Sequence, residues 1–479
     1  MNYQILRYIL GLILIFEAIF LLLPGIVAAI YGEPCGWWFL VTAAVVVLIG
    51  FALRIKKPTN MQFHGREGLV LVSMSWILIS LISAFPMTIS GIVPNYVDAL
   101  FEMVSGFTTT GASALTTVEH LPHCINFWRC FSNWIGGMGV IVFIMMIIPK
   151  TASNANMYLM RAESPGPSFG KLVPKLKSTA RTLYLMYIGL TLVQLILLLF
   201  GGVSFFEALC ISMATAGTGG FGIRDTGFSL YSSYVQIVVT VFMFLFGVNF
   251  KFYFLLIMRK IKDAFAIEEV FWYTILFAVA SILIAVDIYP IAGTIGGSLK
   301  HASFQVATVM TTTGFATMDF NAWPIFSQVL LVLLMFVGAC AGSTGGGMKV
   351  SRFIIYIKSA LKEMATLLHP NSVKKIKMDG KVIDHETIRS ANIYLIIYVL
   401  VMALSIIIVS LDQFDLVTTV TSVIATFNNI GPGLGAVGPA GNFHSLSILS
   451  KLVLIFDMLT GRLEIFPIVI LFVRDTWKK

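Results

Sequence analysis

The chain has 479 residues, of which 58% are hydrophobic and only 11% are charged. Soluble domains are about 45–50% apolar and about 25% charged, so this composition excludes a soluble globular protein and predicts an all-α polytopic membrane protein. The net charge of +9 could suggest a nucleic-acid-binding protein, but the basic segments alternate with acidic ones along the chain, which excludes that explanation. Five scattered cysteines indicate no disulfide framework.

Ten apolar segments are long enough to cross a membrane, because about 20 helical residues span a hydrocarbon core of about 30 Å. The first segment is too long for a cleaved signal peptide, and no convincing small-residue cleavage site follows it. The predicted spans are 5–31, 37–55, 68–90, 126–149, 182–202, 233–258, 270–290, 325–368 (interrupted), 391–411 and 446–473.

The placement of charges predicts the orientation of the chain in the membrane. Most of the 32 Lys and Arg residues lie at the N-terminus or in segments 54–66, 150–181, 259–269, 349–389 and 474–479. The segments between these carry acids, namely Asp98, Glu102, Glu119, Glu207, Asp225, Asp319, Asp412 and Asp415. By the positive-inside rule, both termini are cytoplasmic and the acidic loops are outside.

Each outer segment has the same order of parts, a short amphipathic stretch followed by a polar loop centred on glycine. The loops read TTTGA (108–112), GTGGF (217–221), TTTGF (311–315) and NNIGP (428–432). The stretches before them, 97–108, 205–216, 299–310 and 415–427, are too short to cross a membrane, so we interpret them as re-entrant half-helices. The chain then divides into two extra N-terminal spans (1–60) and four pseudo-repeated units of span, half-helix, loop and span (61–150, 151–260, 261–388 and 389–479).

Four such loops meeting on one axis would line a pore, because non-helical backbone at membrane depth must be buried in protein or border water. Glycine lets successive carbonyls turn to the same side, and rings of carbonyl dipoles replace the hydration shell of a monovalent cation. The C-terminal end of each half-helix also favours a cation, and outer acids would raise its local concentration. The alternative, ordinary Gly- and Thr-rich outer loops, is disfavoured because the same context occurs four times.

The four units, with TTTGAS, TGGFG, TTTGFAT and NNIGPGLG, resemble the superfamily of potassium transporters that includes TrkH, TrkG and KtrB. The resemblance covers nearly the whole chain, and the two extra spans resemble the TrkH and TrkG branch. It implies one filter glycine per unit and a potassium-binding filter formed by Thr109, Thr110, Gly111, Thr218, Gly219, Gly220, Thr312, Thr313, Gly314, Asn429, Ile430 and Gly431. The second and fourth loops depart from the TTTGF pattern, so the filter is not chemically symmetric.

The last span of the third unit breaks at VGACAGSTGGGMKV (337–350). Five glycines within 338–347 disfavour a regular helix. The resemblance implies the intramembrane gating loop of the family, formed here by Gly338, Gly342, Ser343, Thr344, Gly345, Gly346 and Gly347. One alternative is a helix-packing face of small residues at Gly338 and Gly342. The other, a phosphate loop, fails because Lys349 does not follow Gly347 directly and no Ser or Thr follows it.

Arg462 lies near the middle of the last apolar segment, where an unpaired charge costs roughly 2.5–3.5 kcal/mol or more. The resemblance implies that Arg462 meets the gating loop and blocks the path below the filter. The alternative is an ion pair with Asp457 or Glu464. Lys251 is a further buried cation, most simply explained by snorkelling to the cytoplasmic side. The sequence HLPHC (120–124) could suggest a metal site, but no second cluster in the sequence supports it.

These patterns predict a potassium-translocating, channel-like subunit of a Trk-type uptake system in the bacterial inner membrane. No convergent set of acid, base and nucleophile indicates an enzyme, and no cofactor is expected in this chain because potassium is the substrate. The resemblance implies a homodimer and a cytoplasmic nucleotide-binding, TrkA-like partner, for which the inward basic charges offer a surface. The rival function is a secondary transporter that couples potassium to protons or sodium, although such transporters often carry inverted repeats and these repeats run in one direction.

Overall fold

The fold is described from a computed structural model for residues 1–58, 65–139, 176–371 and 374–478. This part of the chain is built from helices, and its regular strands form one small hairpin in which Lys377–Met378 pairs antiparallel with Lys381–Val382. The predicted all-α class is therefore confirmed.

The two N-terminal helices, Tyr3–Tyr31 and Gly36–Arg54, pack closely against each other. Glycine makes the close approach possible, because a Cβ atom added at Gly11 would lie 2.7 Å from the carbonyl oxygen of Gly50. Small residues at such contacts are typical of helices that associate within a membrane.

Four short helices occupy the positions predicted for the half-helices: Tyr96–Phe107, Phe205–Ala216, Ile295–Met310 and Leu416–Phe427. Each begins with a side-chain cap, in which the oxygen of Asn95, Ser204, Thr294 or Asp415 accepts a backbone N–H of the first turn. Such caps satisfy one of the free N–H groups at a helix start. Most residues of the four helices are buried, so they lie inside the bundle.

Long helices precede the half-helices, and shorter ones follow the loops. The long helices are Gly65–Ile89, Leu176–Phe200, Glu268–Asp287 and His385–Val409. The helices after the loops are His123–Met138, Ser233–Gly247, Ile325–Val337 and Ile448–Arg462, with 16, 15, 13 and 15 residues. All four of the latter are too short for a full span, for which about 20 residues are needed.

Among the described residues, six helices are long and apolar enough to cross a membrane, fewer than the ten predicted spans, of which 325–368 was expected to be interrupted. A seventh is reached by counting Ser233–Gly247 with Phe250–Ile257, but the two are bent by 91°. The prediction treated 233–258 and 446–473 as continuous because their apolar composition runs on past the breaks at Gly247 and Arg462. The second half of predicted span 126–149 lies outside the described residues.

The remaining elements connect or terminate these helices. They are the helices Ile261–Phe265, Tyr289–Ala292, Val350–Leu368 and Phe466–Val469, together with 3₁₀ turns at Phe320–Ala322, Ser410–Asp412, Gly435–Val437, Ile470–Phe472 and Arg474–Thr476.

Besides an apolar core, this structure carries a large apolar surface that a soluble protein would not expose. Large apolar side chains of the long helices are exposed, among them Leu48, Phe200, Val286 and Ile407. Extended apolar surface of this kind marks contact with a membrane. At the centre the structure instead buries runs of polar residues, such as Thr108–Thr110 and Thr311–Thr313. The polar residues of the loops predicted to form the filter are therefore enclosed within the helices.

Candidate functional site

Each half-helix ends in the same backbone arrangement. The second residue after the helix adopts a left-handed conformation, at Thr109 (φ 55°), Thr218 (φ 52°), Thr312 (φ 57°) and Asn429 (φ 56°). The next N–H reaches back to a carbonyl five residues earlier at 2.8–2.9 Å, in the pairs Thr110–Ser105, Gly219–Ala214, Thr313–Thr308 and Ile430–Ala425. This is the Schellman motif, which normally uses glycine at the left-handed position.

Three of these left-handed residues are threonines, which is energetically unfavourable. A β-branched residue at positive φ is a genuine outlier, and such strain costs of order 1–3 kcal/mol and clusters at functional sites. The strained residues Thr109, Thr218 and Thr312 are fully buried. Only the fourth unit places a residue that tolerates this conformation well, Asn429.

The four loops close into a ring through their glycines. Gly111, Gly220, Gly314 and Gly431 all have positive φ, between 71° and 100°. A Cβ added at Gly111 would overlap the carbonyl oxygen of Gly219, one at Gly220 that of Thr313, and one at Gly314 that of Ile430. A Cβ at Gly431 would lie 2.7 Å from the carbonyl oxygen of Thr110. Each loop thus contacts the next in order, and the fourth returns to the first.

A single cavity of about 400 Å³ opens on this ring and is lined by all four glycines. Its wall comes from the segments that follow each loop, including Phe221, Phe315 and Pro432. The four glycine loops therefore border one cavity.

Side-chain hydrogen bonds hold the loops in position. The hydroxyls of Thr108 and Thr110 lie 2.8 Å apart, and those of Thr311 and Thr313 lie 2.7 Å apart. The Asn429 amide donates to the Thr110 hydroxyl at 3.0 Å and to the Met458 carbonyl at 2.9 Å, which ties the first loop to the fourth.

Three of the acids predicted to face outwards form ion pairs. Glu102 pairs with Arg129 at 3.0 Å, Glu207 with Arg224 at 2.6 Å and Asp98 with Lys451 at 2.6 Å. Glu102 also accepts the N–H of Ala114 at 2.8 Å, just beyond the first loop. These acids therefore support the loops, and the expectation that they concentrate cations is wrong for these three because basic side chains neutralise them.

The predicted break in the third unit is present. Helix Ile325–Val337 ends at Gly338 (φ 72°), and helix Val350–Leu368 begins after Lys349 (φ 78°). Because 338–347 is not helical, Gly338 and Gly342 do not form a helix-packing face. The N–H of Gly346 donates to the Thr312 hydroxyl at 2.6 Å, and a Cβ at Gly346 would lie 2.8 Å from the Asn428 carbonyl oxygen. Segment 338–347 thus lies directly against the third and fourth loops.

Two buried ionisable side chains, those of Glu269 and Lys349, hold this segment in place, and neither role was predicted from the sequence. One carboxylate oxygen of Glu269 accepts the N–H of Ala341 at 2.7 Å and that of Ser351 at 3.0 Å. The ammonium of Lys349 donates to the carbonyl of Gly345. An acid at the very start of an apolar span was the available signal for Glu269.

Arg462 contacts the segment as expected. Its guanidinium donates to the Thr344 carbonyl at 2.9 Å and, from Nη2, to the carbonyls of Gly136 and Gly137 at 2.5 and 3.2 Å. It therefore bridges the third unit to the end of helix His123–Met138.

The surroundings of Arg462 differ from the expectation in two ways. Its helix ends at Arg462 itself, and left-handed residues Glu464 and Ile465 follow, so the guanidinium lies at a helix terminus rather than mid-span. The second difference concerns the two acids considered as ion-pair partners of Arg462, which contact other residues. Glu464 pairs with Arg352 at 2.6 Å, and Asp457 accepts a hydrogen bond from Ser405 at 2.7 Å.

Lys251 lies just beyond the 91° bend, where its N–H donates to Asn249. Lys251 therefore follows the turn of the chain at Gly247, whereas the prediction placed it within a continuous span.

Comparisons with known proteins agree with this geometry. The model of the TrkH family, a cation transport protein family, matches residues 38–479. The chain is 35% identical over 490 residues to the Trk system potassium uptake protein TrkH of Salmonella typhimurium, covering 100% of both. It is 32% identical over 482 residues to TrkG of Escherichia coli, covering 99% of both.

The crystal structure of the potassium transporter TrkH from Vibrio parahaemolyticus matches with a TM-score of 0.89 at 28% identity, covering 100% of each chain. The resemblance inferred from the four loops is therefore confirmed over the full length. The chain belongs to the TrkH family, whose members are cation transport proteins and not enzymes.

Proposed function

We propose that this protein is a potassium-translocating, channel-like subunit of a Trk-type uptake system in the bacterial inner membrane. The observation that carries the proposal is the ring in which each filter glycine contacts a carbonyl of the neighbouring loop. The relatives named above are potassium uptake proteins, and the ring offers a single place where a desolvated cation could be held.

Selection is assigned to backbone carbonyls of the loops, at the twelve filter residues given in the sequence analysis. Carbonyl dipoles replace the hydration shell of the ion, and the C-terminal ends of four half-helices add negative potential at the same point. The left-handed residues turn the chain sharply at the end of each half-helix. Because these loops contain no carboxylates, the site suits a monovalent cation better than a divalent one.

Gating is assigned to segment 338–347 together with Arg462. The segment contacts the third and fourth loops, and the guanidinium holds it through Thr344. A positive charge beside the path below the filter repels potassium until the segment moves. Glycine at five of the ten positions permits that movement because glycine backbone has few preferred conformations.

The proposal also covers the orientation of the chain and its partners. Both termini and the long basic segment 349–389 face the cytoplasm, two such chains associate, and a cytoplasmic nucleotide-binding TrkA-like partner docks on the basic surface. The chain itself carries no nucleotide; the partner supplies that control. The four units 61–150, 151–260, 261–388 and 389–479 surround one pore, with 1–60 outside it.

Reversal potentials in proteoliposomes test the function. The purified protein, with its partner or as an open-biased Arg462→Ala variant, should give a reversal potential that follows the potassium gradient. At a fixed potassium gradient, a change of pH should leave the reversal potential unmoved. A shift with pH, or a shift with sodium larger than the potassium-to-sodium permeability ratio allows, would instead make the protein a coupled transporter.

A further inference from the structure

Two of the five cysteines come together although their sequence spacing gives no hint of a pair. The sulfur atoms of Cys35 and Cys124 lie 3.0 Å apart, and both residues are buried. Cys35 ends the turn between the two N-terminal helices, and Cys124 lies in the first turn of helix His123–Met138. The pair therefore joins the N-terminal helices to the helix that follows the first filter loop.

The contact between these two turns is built by other groups as well. One oxygen of Glu33 accepts the His123 N–H at 2.6 Å and lies 2.9 Å from its ring Nδ1, and the other accepts the Cys124 N–H at 2.9 Å. The ring of His123 stacks on Tyr31 with centroids 3.9 Å apart. The two sulfurs are thus held face to face by a framework that does not depend on them.

A metal ion is the other chemistry that such a cluster could serve, since ligand atoms of Glu33, Cys35 and Cys124 lie within 4.8 Å of one another. Tetrahedral zinc with bonds of about 2.3 Å to sulfur would hold two sulfurs about 3.8 Å apart. The observed separation is shorter, and the carboxylate is already engaged by nitrogen groups of His123 and Cys124. The arrangement therefore fits a covalent sulfur–sulfur bond better than a metal.

We propose that Cys35 and Cys124 form a disulfide on the outer side of the membrane. The location rests on the proposed orientation, in which these turns face an oxidising compartment where disulfides persist. The oxidant is a protein or small-molecule disulfide. By exchange, both thiols lose their protons and two electrons, one S–S bond forms here, and the oxidant's S–S bond is reduced to two thiols.

The bond would link helices outside the four-unit ring to the ring itself and close a loop between two cysteines that are 89 positions apart in the sequence. Constraining so long a segment restricts the unfolded chain and stabilises the folded one. The expected effect is on the stability of the N-terminal pair against the first unit, and ion selection at the filter should not change.

Counting thiols in the purified protein tests the proposal. After denaturation without reductant, wild type should present three maleimide-reactive cysteines out of five, whereas Cys35→Ser and Cys124→Ser should each present four out of four. Peptide mapping should find the 35–124 cross-link. Reductant should lower the thermal unfolding midpoint of wild type and leave that of the double variant Cys35→Ser/Cys124→Ser unmoved.

Three outcomes overturn the proposal. The first is five reactive thiols with no bound metal. The second is a stoichiometric zinc or copper ion that the double variant loses, which would assign the cluster to metal binding. The third is a disulfide that maps to any other pair of cysteines. Because thiol number is counted on denatured protein and metal content on the purified folded protein, neither readout depends on transport activity or on the proposed function.

Discussion

Replacing Arg462 by alanine tests the gate most directly. The side chain makes hydrogen bonds to Thr344 on the gating segment and to Gly136 and Gly137 on another unit. Alanine removes this bridge together with the positive charge. We therefore expect higher basal potassium flux in the absence of the partner and a smaller response when the partner is added.

The size of the effect follows from the contact to Thr344. A hydrogen bond from a charged donor contributes about 1.5–3 kcal/mol, and 1.4 kcal/mol corresponds to tenfold in an equilibrium constant. Loss of this bond in the closed state alone should shift the open population by about 10- to 150-fold. Arg462→Lys keeps the charge but loses the planar fork that reaches two units at once, so it should fall between wild type and alanine.

The assay is rubidium or potassium uptake into proteoliposomes, normalised to protein that elutes as a single peak in detergent. Arg474→Ala, which removes an exposed arginine near the C-terminus, is the matched control and should behave as wild type. If Arg462→Ala shows wild-type basal flux and full partner control, the latch is refuted and Arg462 serves packing alone.

Three further predictions concern the filter, the anchor and the orientation. Gly314→Ser should reduce potassium preference over sodium in reversal-potential measurements, because a Cβ at φ 88° would overlap the Ile430 carbonyl; unchanged relative permeability would remove the third loop from the filter. Glu269→Ala should raise basal flux by freeing the N–H of Ala341 in the gating segment and that of Ser351 in the helix after it, and Glu269→Gln should do so less because its amide oxygen still accepts; equal flux in both variants and wild type would contradict this anchor. In intact cells, a cysteine at Thr226 should react with impermeant thiol reagents and one at Lys381 only with permeant ones, and the reverse labelling would overturn the orientation.

The half-helices and their loops were predictable because local chemistry determines them. Three of the four half-helices begin and end within one residue of the prediction, and the third begins four residues earlier than expected, at Ile295. Its Thr294 cap is a signal that the sequence contains, whereas Gly296 and Gly297 disfavour helix. A short apolar stretch followed by a glycine is a local pattern of about a dozen residues, so it can be recognised in the sequence alone.

The breaks in the helices after the loops were not predictable from composition. Hydropathy stays high beyond Gly247 and Arg462, and the chain turns there because of packing that only the fold creates. A Cβ at Gly461, for example, would overlap the Phe427 carbonyl. The same limit applies to Glu269, whose two N–H partners lie 72 and 82 residues away, since nothing local relates them.

The ring of loops imposes an order on biosynthesis. Its last contact joins Asn429 to Thr110, which are separated by 319 residues. At about 5–20 residues per second, the ribosome needs roughly 15 to 65 s to bridge that interval. During this time the loops already synthesised must wait in the membrane without their fourth neighbour. A nascent chain that stalls before the last unit therefore holds an open, hydrogen-bond-deficient polar edge in lipid, a form that quality-control proteases could distinguish from the finished protein.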